Sequence, residues 1–170
     1  MCRPRRCRPP PAPLRWRAGL AVATCAGCGP SPSFGGGLFV GLARERLGLD
    51  VGVRADLPDT SSGPSGRELR SSLVVGEIFP HARIGILRLG LLGSMGALLG
   101  TSDGENQTSL FAAAGVRAGL EWRVTGPVFM RLAIDGSLAL ARVSLRVEGR
   151  ELWSTPAITG GASLAGGVEF

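Results

Sequence analysis

The sequence contains no Tyr and no Lys, only one His, and no cysteine beyond residue 28. Each of these gaps excludes something. The four cysteines, Cys2, Cys7, Cys25 and Cys28, cannot cross-link the main body. Cys25 and Cys28 form a CxxC pair, but a zinc site needs a second such pair or histidines, and the sole His is His81. No metal or other cofactor is therefore expected. No apolar run approaches the roughly 20 residues of a membrane-spanning helix, because charges and glycines interrupt every candidate. A mean hydropathy of +0.22 calls for a different explanation. Basic charge is also scarce where nucleic acid would need it. The net charge is +6, but Arg3, Arg5, Arg6, Arg8, Arg15 and Arg17 all precede the first acidic residue, Glu45, and from residue 18 onward 13 Arg face 13 Asp and Glu. With aromatics at 5%, there is no basic stripe with interleaved rings, and no nucleic-acid partner is expected.

What the sequence does contain is alternation. Over 47–57, Leu47, Leu49, Val51, Val53, Ala55 and Leu57 alternate with Gly48, Asp50, Gly52, Arg54 and Asp56. Over 109–123, Leu110, Ala112, Ala114, Val116, Ala118, Leu120 and Trp122 oppose Ser109, Phe111, Ala113, Gly115, Arg117, Gly119 and Glu121. The stretches 128–141 and 158–170 repeat the pattern, and 36–43, 69–79 and 83–99 show it more weakly. A period of two excludes a helix, whose period is 3.6. The fold expected is all-β: a closed antiparallel up-and-down barrel of eight strands at about 16–27, 36–43, 47–57, 69–79, 83–99, 109–123, 128–148 and 151–170. Residues 1–15, basic and rich in proline, form a disordered or processed N-terminus, and 16–170 form a single barrel domain.

The eighth strand depends on 16–27. Trp16, Ala18, Leu20, Val22 and Ala26 alternate there with Arg17, Gly19, Ala21, Ala23 and Cys25. The competing reading takes the same residues as the apolar core of a signal peptide, or of a lipoprotein signal ending at Cys28. The even strand number of single-chain bacterial barrels favours a strand. The expected links then alternate: 29–34, 58–68, 101–108 and 142–156 are long, while 44–46, 80–82 and 125–127 are short. Val143, Leu145 and Val147 are one residue out of phase with 128–140, which predicts a bulge near Arg142.

Periodicity does not say which face points outward. A soluble lipocalin-like barrel binding a small apolar ligand would turn its apolar face inward, leaving an exterior diluted by Gly, Ala and Ser, less polar than water requires. In a membrane barrel the same small, charged face fills the lumen. There Arg54, Arg88, Arg117 and Arg131 can pair with Asp50, Asp56, Glu77, Glu121, Asp135 and Glu169. Eight strands leave no aqueous pore.

The terminal GGVEF, with Phe170 last, and the alternating segments with short and long links resemble the small eight-stranded outer-membrane barrels of Gram-negative bacteria, of the OmpA and OmpX type. The resemblance spans about residues 16–170. It implies a cell outer-membrane location, a lipid-bilayer environment, and a role for Phe170 as the signal read by the barrel-assembly machinery. With no Tyr, the aromatic girdles reduce to Trp16, Trp122, Trp153 and a few Phe. An N-terminus that departs from a clean secretory signal fits a piece of a longer protein.

No catalytic residue is expected. His81 falls in the 80–82 turn, away from any external Ser. The glycines at 35–37 and 160–161 lack the strand, loop and helix context and the Lys of a phosphate loop. The expected role is non-enzymatic: a structural or interaction protein that displays its outer loops, or the membrane anchor of a larger chain.

Overall fold

The computed structural model of the chain describes residues 13–29, 31–62, 68–102, 105–141, 144–147 and 150–170. The described residues form eleven strands: β1 (Arg15–Ala26), β2 (Ser33–Arg44), β3 (Leu47–Asp56), β4 (Asp59–Ser62), β5 (Glu68–Ile84), β6 (Leu87–Ser102), β7 (Glu105–Thr125), β8 (Val128–Ala141), β9 (Ser144–Val147), β10 (Arg150–Ser154) and β11 (Ile158–Glu169). Eight of them close a barrel in the order β3-β2-β1-β11-β8-β7-β6-β5, with β5 pairing back to β3. Every pairing is antiparallel. Residues 16–26, whose other reading was a signal core, lie in β1 and make the seam with β11 from Arg17↔Glu169 to Ala26↔Gly160. Residues 1–12 of the expected disordered N-terminus lie outside the described residues, but Arg15 already belongs to β1.

Alternation sends the two side-chain sets to opposite sides of the wall. Leu20, Leu38, Val51, Ile78, Leu91, Leu132 and Ile134 stand exposed on the outer surface, whereas Arg17, Asp50, Arg88, Glu121 and Arg131 are buried in the lumen. The apolar face points outward, so the lipocalin-like arrangement is not the one adopted.

Three two-residue turns close one end of the barrel: Glu45–Arg46, Gly85–Ile86 and Gly126–Pro127. In each, the first residue has a positive φ: 51° at Glu45, 63° at Gly85 and 49° at Gly126. Glycine takes this conformation without strain. The middle turn corrects the sequence expectation. Residues 80–82 are not a link, since β5 runs through Pro80 and His81 to Ile84. Pro80 is tolerated because the β5–β6 ladder skips a step there, passing from Ile78↔Gly93 to His81↔Gly90.

The opposite end is built from extended hairpins. β4 pairs with the start of β5, β9 pairs with β10, and β6 and β7 stay paired out to Ser102↔Glu105. The expected long link at 101–108 is therefore mostly ladder, with only two residues between the strands. β7 has 21 residues, about twice what a tilted strand needs to cross hydrocarbon. A register shift occurs where Ala112 pairs with Ala141 and Ala113 with Ala139, leaving Leu140 as the extra residue. Arg142, near which the bulge is expected, itself lies outside the described residues.

Candidate functional site

The lumen is layered. One layer, towards the two-residue turns, centres on Glu121 of β7. Glu121 Oε1 accepts from Arg17 Nη2 at 2.9 Å, and its Oε2 accepts from Arg88 Nη1 at 2.9 Å and Arg131 Nη2 at 3.1 Å. Asp50 Oδ2 accepts from Arg88 Nη2 at 2.8 Å and Arg131 Nη1 at 3.0 Å. Two carboxylates thus hold three guanidinium groups, and Arg17, Arg88 and Glu121 are at most 2% exposed. Below them, Glu169 accepts from Arg15 at 2.8 Å and from Arg17 at 3.1 Å, and also pairs with Arg123. Buried charges endure only when paired in this way.

Three phenylalanines wedge the arginines. Arg131 lies 4.8 Å above the Phe39 ring and 5.5 Å above Phe129; Arg17 is 5.3 Å from Phe129 and Arg88 is 5.6 Å from Phe79. His81 stacks on Phe79 at 4.9 Å. Its Nδ1–H donates to the Phe79 carbonyl at 3.0 Å, which leaves Nε2 to accept from Arg88. His81 is therefore a buried member of the network, not the turn residue its neighbouring proline suggested.

Above this layer lies a cavity of about 60 Å³, bounded by Phe39, Asp50, Arg54, Glu77, Phe79, Arg117 and Arg131. It is far smaller than the roughly 300 Å³ or more of a typical ligand pocket. A second charged layer follows. Arg117 donates to Glu77 at 2.8 Å and contacts Asp135 at 3.0 Å. Arg54 lies 2.9 Å from Asp56, which also accepts from Ser33 at 2.6 Å, and 3.6 Å from Glu77. Towards the hairpin end, Leu73, Val75, Leu98, Phe111 and Ala113 form an apolar plug with the disulfide-bonded Cys25 and Cys28, and Trp153 packs against it.

The structure thus brings Asp50, Arg54, Asp56, Glu77, Arg88, Arg117, Glu121, Arg131, Asp135 and Glu169 into one lumen, in two layers. Phe170 lies apart, 72% exposed, with its backbone paired to Trp16 at 2.8 and 2.9 Å. Sequence reading missed Arg17, which it assigned to the N-terminal charge excess although Arg17 shares the inward parity of Gly19 and Ala21. It also missed the disulfide. Phe39, Phe79, Phe111 and Phe129 are buried inside, leaving Phe34 and Phe170 as the exposed ones.

The sequence matches no protein-family model and no curated protein. Solved structures do resemble it. Neisserial surface protein A is 14% identical, over 92% of this chain and 97% of that one, with a TM-score of 0.61. A major outer membrane protein from Thermus thermophilus is 11% identical, over 93% and 100%, with a TM-score of 0.60. Ail, the attachment invasion locus protein of Yersinia pestis, is 12% identical, over 94% and 99%, with a TM-score of 0.55. At these identities the likeness is one of fold. By that fold, the chain is a closed eight-stranded barrel of the kind that small bacterial outer-membrane proteins adopt.

Proposed function

We propose that this chain resides in the bacterial outer membrane as a non-conducting, non-enzymatic barrel that holds its extended hairpins beyond the bilayer for interaction, either alone or as the anchor of a larger chain. The observation that carries the reading is the inversion of the wall, with large apolar side chains outside and buried ion pairs within. In water such a surface would aggregate; in hydrocarbon it is the required one, because closure leaves no strand edge unpaired. The absence of enzymatic activity is inferred from His81, whose ring is engaged by Phe79 and Arg88. The exposure of Phe170 beside Trp16 at the β1–β11 seam supports reading it as a signal for the barrel-assembly machinery.

The test uses single-cysteine labelling with Cys2 and Cys7 replaced by Ser and the Cys25–Cys28 disulfide kept oxidised. In lipid vesicles, a fluorophore at Leu132→Cys is expected to be quenched by spin-labelled acyl chains, whereas Ala133→Cys, one residue along and buried, is expected to resist labelling. Labelling of Ala133→Cys together with an unquenched Leu132→Cys would overturn the reading.

A further inference from the structure

The net charge of the chain is not spread over the barrel. The buried lumen holds five arginines, at positions 17, 54, 88, 117 and 131, against six carboxylates. By sequence, the segments at the hairpin end also carry five arginines against six carboxylates. Each therefore contributes minus one to a total of +6. At the end with the two-residue turns, Arg15, Arg44, Arg46, Arg83 and Arg123 outnumber that end's one acid, Glu45; the lumen's Glu169 pairs with Arg15 and Arg123 and its Glu121 with Arg83, which leaves Arg44 and Arg46 without an ion pair among the described residues. Residues 1–12, outside the described residues, hold four more arginines in the sequence.

These five arginines come from β1, β2, the β2–β3 turn, β5 and β7, and Arg15, Arg83 and Arg123 share the inward parity of Arg17, His81 and Glu121 at the lumen mouth. Arg44 follows the outward parity of Leu38 and Val40, so it leaves the wall on the lipid side. Depth is fixed independently. Trp16 and Trp122, 52% and 39% exposed on the outer face, are the chain neighbours of Arg15 and Arg123. Tryptophans at such positions sit at the headgroup level, and one residue along a strand is about 3.3 Å. The arginine rim is thus level with lipid phosphates. Guanidinium groups suit phosphate as bidentate donors, and exposed basic residues beside a bilayer concentrate anionic lipid.

We propose that this rim is a binding site for anionic phospholipid headgroups, and that it fixes the turn end of the barrel against one leaflet. The proposal rests on the membrane reading above, and the two fail differently.

The experiment places the folded chain in phosphatidylcholine vesicles containing either brominated phosphatidylglycerol or brominated phosphatidylcholine at equal fraction and follows tryptophan quenching. At low salt, phosphatidylglycerol is expected to be preferred about two- to fourfold, and the preference should fall towards one at 0.5 M NaCl as the charges are screened. An Arg44→Gln/Arg46→Gln variant should lose most of that ratio, and the Arg44→Lys/Arg46→Lys variant should keep it. Both arginines are exposed and form no ion pair among the described residues, so the fold is not at stake. Equal quenching by the two lipids, or a ratio unmoved by the glutamine variant, overturns the headgroup site while leaving the barrel in its membrane. Quenching by neither lipid instead overturns the membrane reading.

Discussion

Arg17 and Glu121 lie 104 residues apart in the chain and grip each other across the lumen, with Nη2 2.9 Å from Oε1 and Nη1 3.3 Å from Oε2. One residue comes from the first strand and the other from β7, with β11 and β8 between them in the wall. The contact closes the barrel from within, as the backbone seam closes it from without.

Glu121 also serves Arg88 and Arg131, so Glu121→Gln leaves three buried guanidinium groups with too little negative charge. The expected loss is about 3–5 kcal/mol of stability. Glu77→Gln is milder, about 1.5–3 kcal/mol, because Arg54 keeps Asp56 and Arg117 keeps Asp135. Urea titration in vesicles, followed by tryptophan emission, measures both. Equal losses would mean that Glu121 is not the hub.

Gly115 of β7 faces the lumen, where an added Cβ would lie 2.5 Å from the Cα and Oγ of Ser137. Gly136, which pairs with Val116 across β7–β8, faces outward with nothing within 4 Å. Gly115→Ala is expected to cost about 1–3 kcal/mol through overpacking. Gly136→Ala is expected to be neutral or to stabilise by about 0.4–1 kcal/mol through the unfolded chain. The same titration separates them, and a reversed order would show the wall to be inside out.

A charge on the outer face should cost according to depth. Leu164 pairs with Val22 and Leu132 at mid-height, and Val168 lies near the turn end. Leu164→Arg is expected to lose about 2–4 kcal/mol and Val168→Arg no more than about 1. Vesicle-folding equilibria give both values, and a flat profile would contradict a membrane wall.

The two charged layers and the apolar plug occupy the lumen at successive heights among the described residues. In planar bilayers the reconstituted barrel is expected to show no discrete conductance steps. Sustained steps would mean that the layers separate under voltage.

Period-two alternation made the wall legible, and with it the inward side of Arg54, Arg88, Arg117 and Arg131 and their acidic partners. The pattern misled wherever a local signal competed with tertiary context. Pro80 beside His81 reads as a turn, yet the missing N–H falls where the β5–β6 ladder is already interrupted, so the strand continues. Gly85, which does turn the chain, is one unremarkable glycine among 27. Arg17 was hidden by its basic neighbours, although its alternation with Trp16 and Ala18 was in view. Which acid meets which arginine is a matter of strand stagger and barrel closure, and neither leaves a mark in sequence spacing.

The charged lumen also governs how the barrel can be made. Glu121 of β7 draws its partners from β1, β5, β6 and β8, and Asp50 of β3 draws its own from β6 and β8. No hairpin satisfies Glu121, whose three guanidinium partners Arg17, Arg88 and Arg131 lie on a run of the wall from β6 through β7, β8 and β11 to β1. An open sheet entering lipid would carry bare charge on its concave face. Neutralisation of Glu121 therefore needs the β1–β11 seam, the same pairing that brings Glu169 against Arg17. A chain built this way has no halfway house: Glu121 is fully paired only once the first and last strands have met.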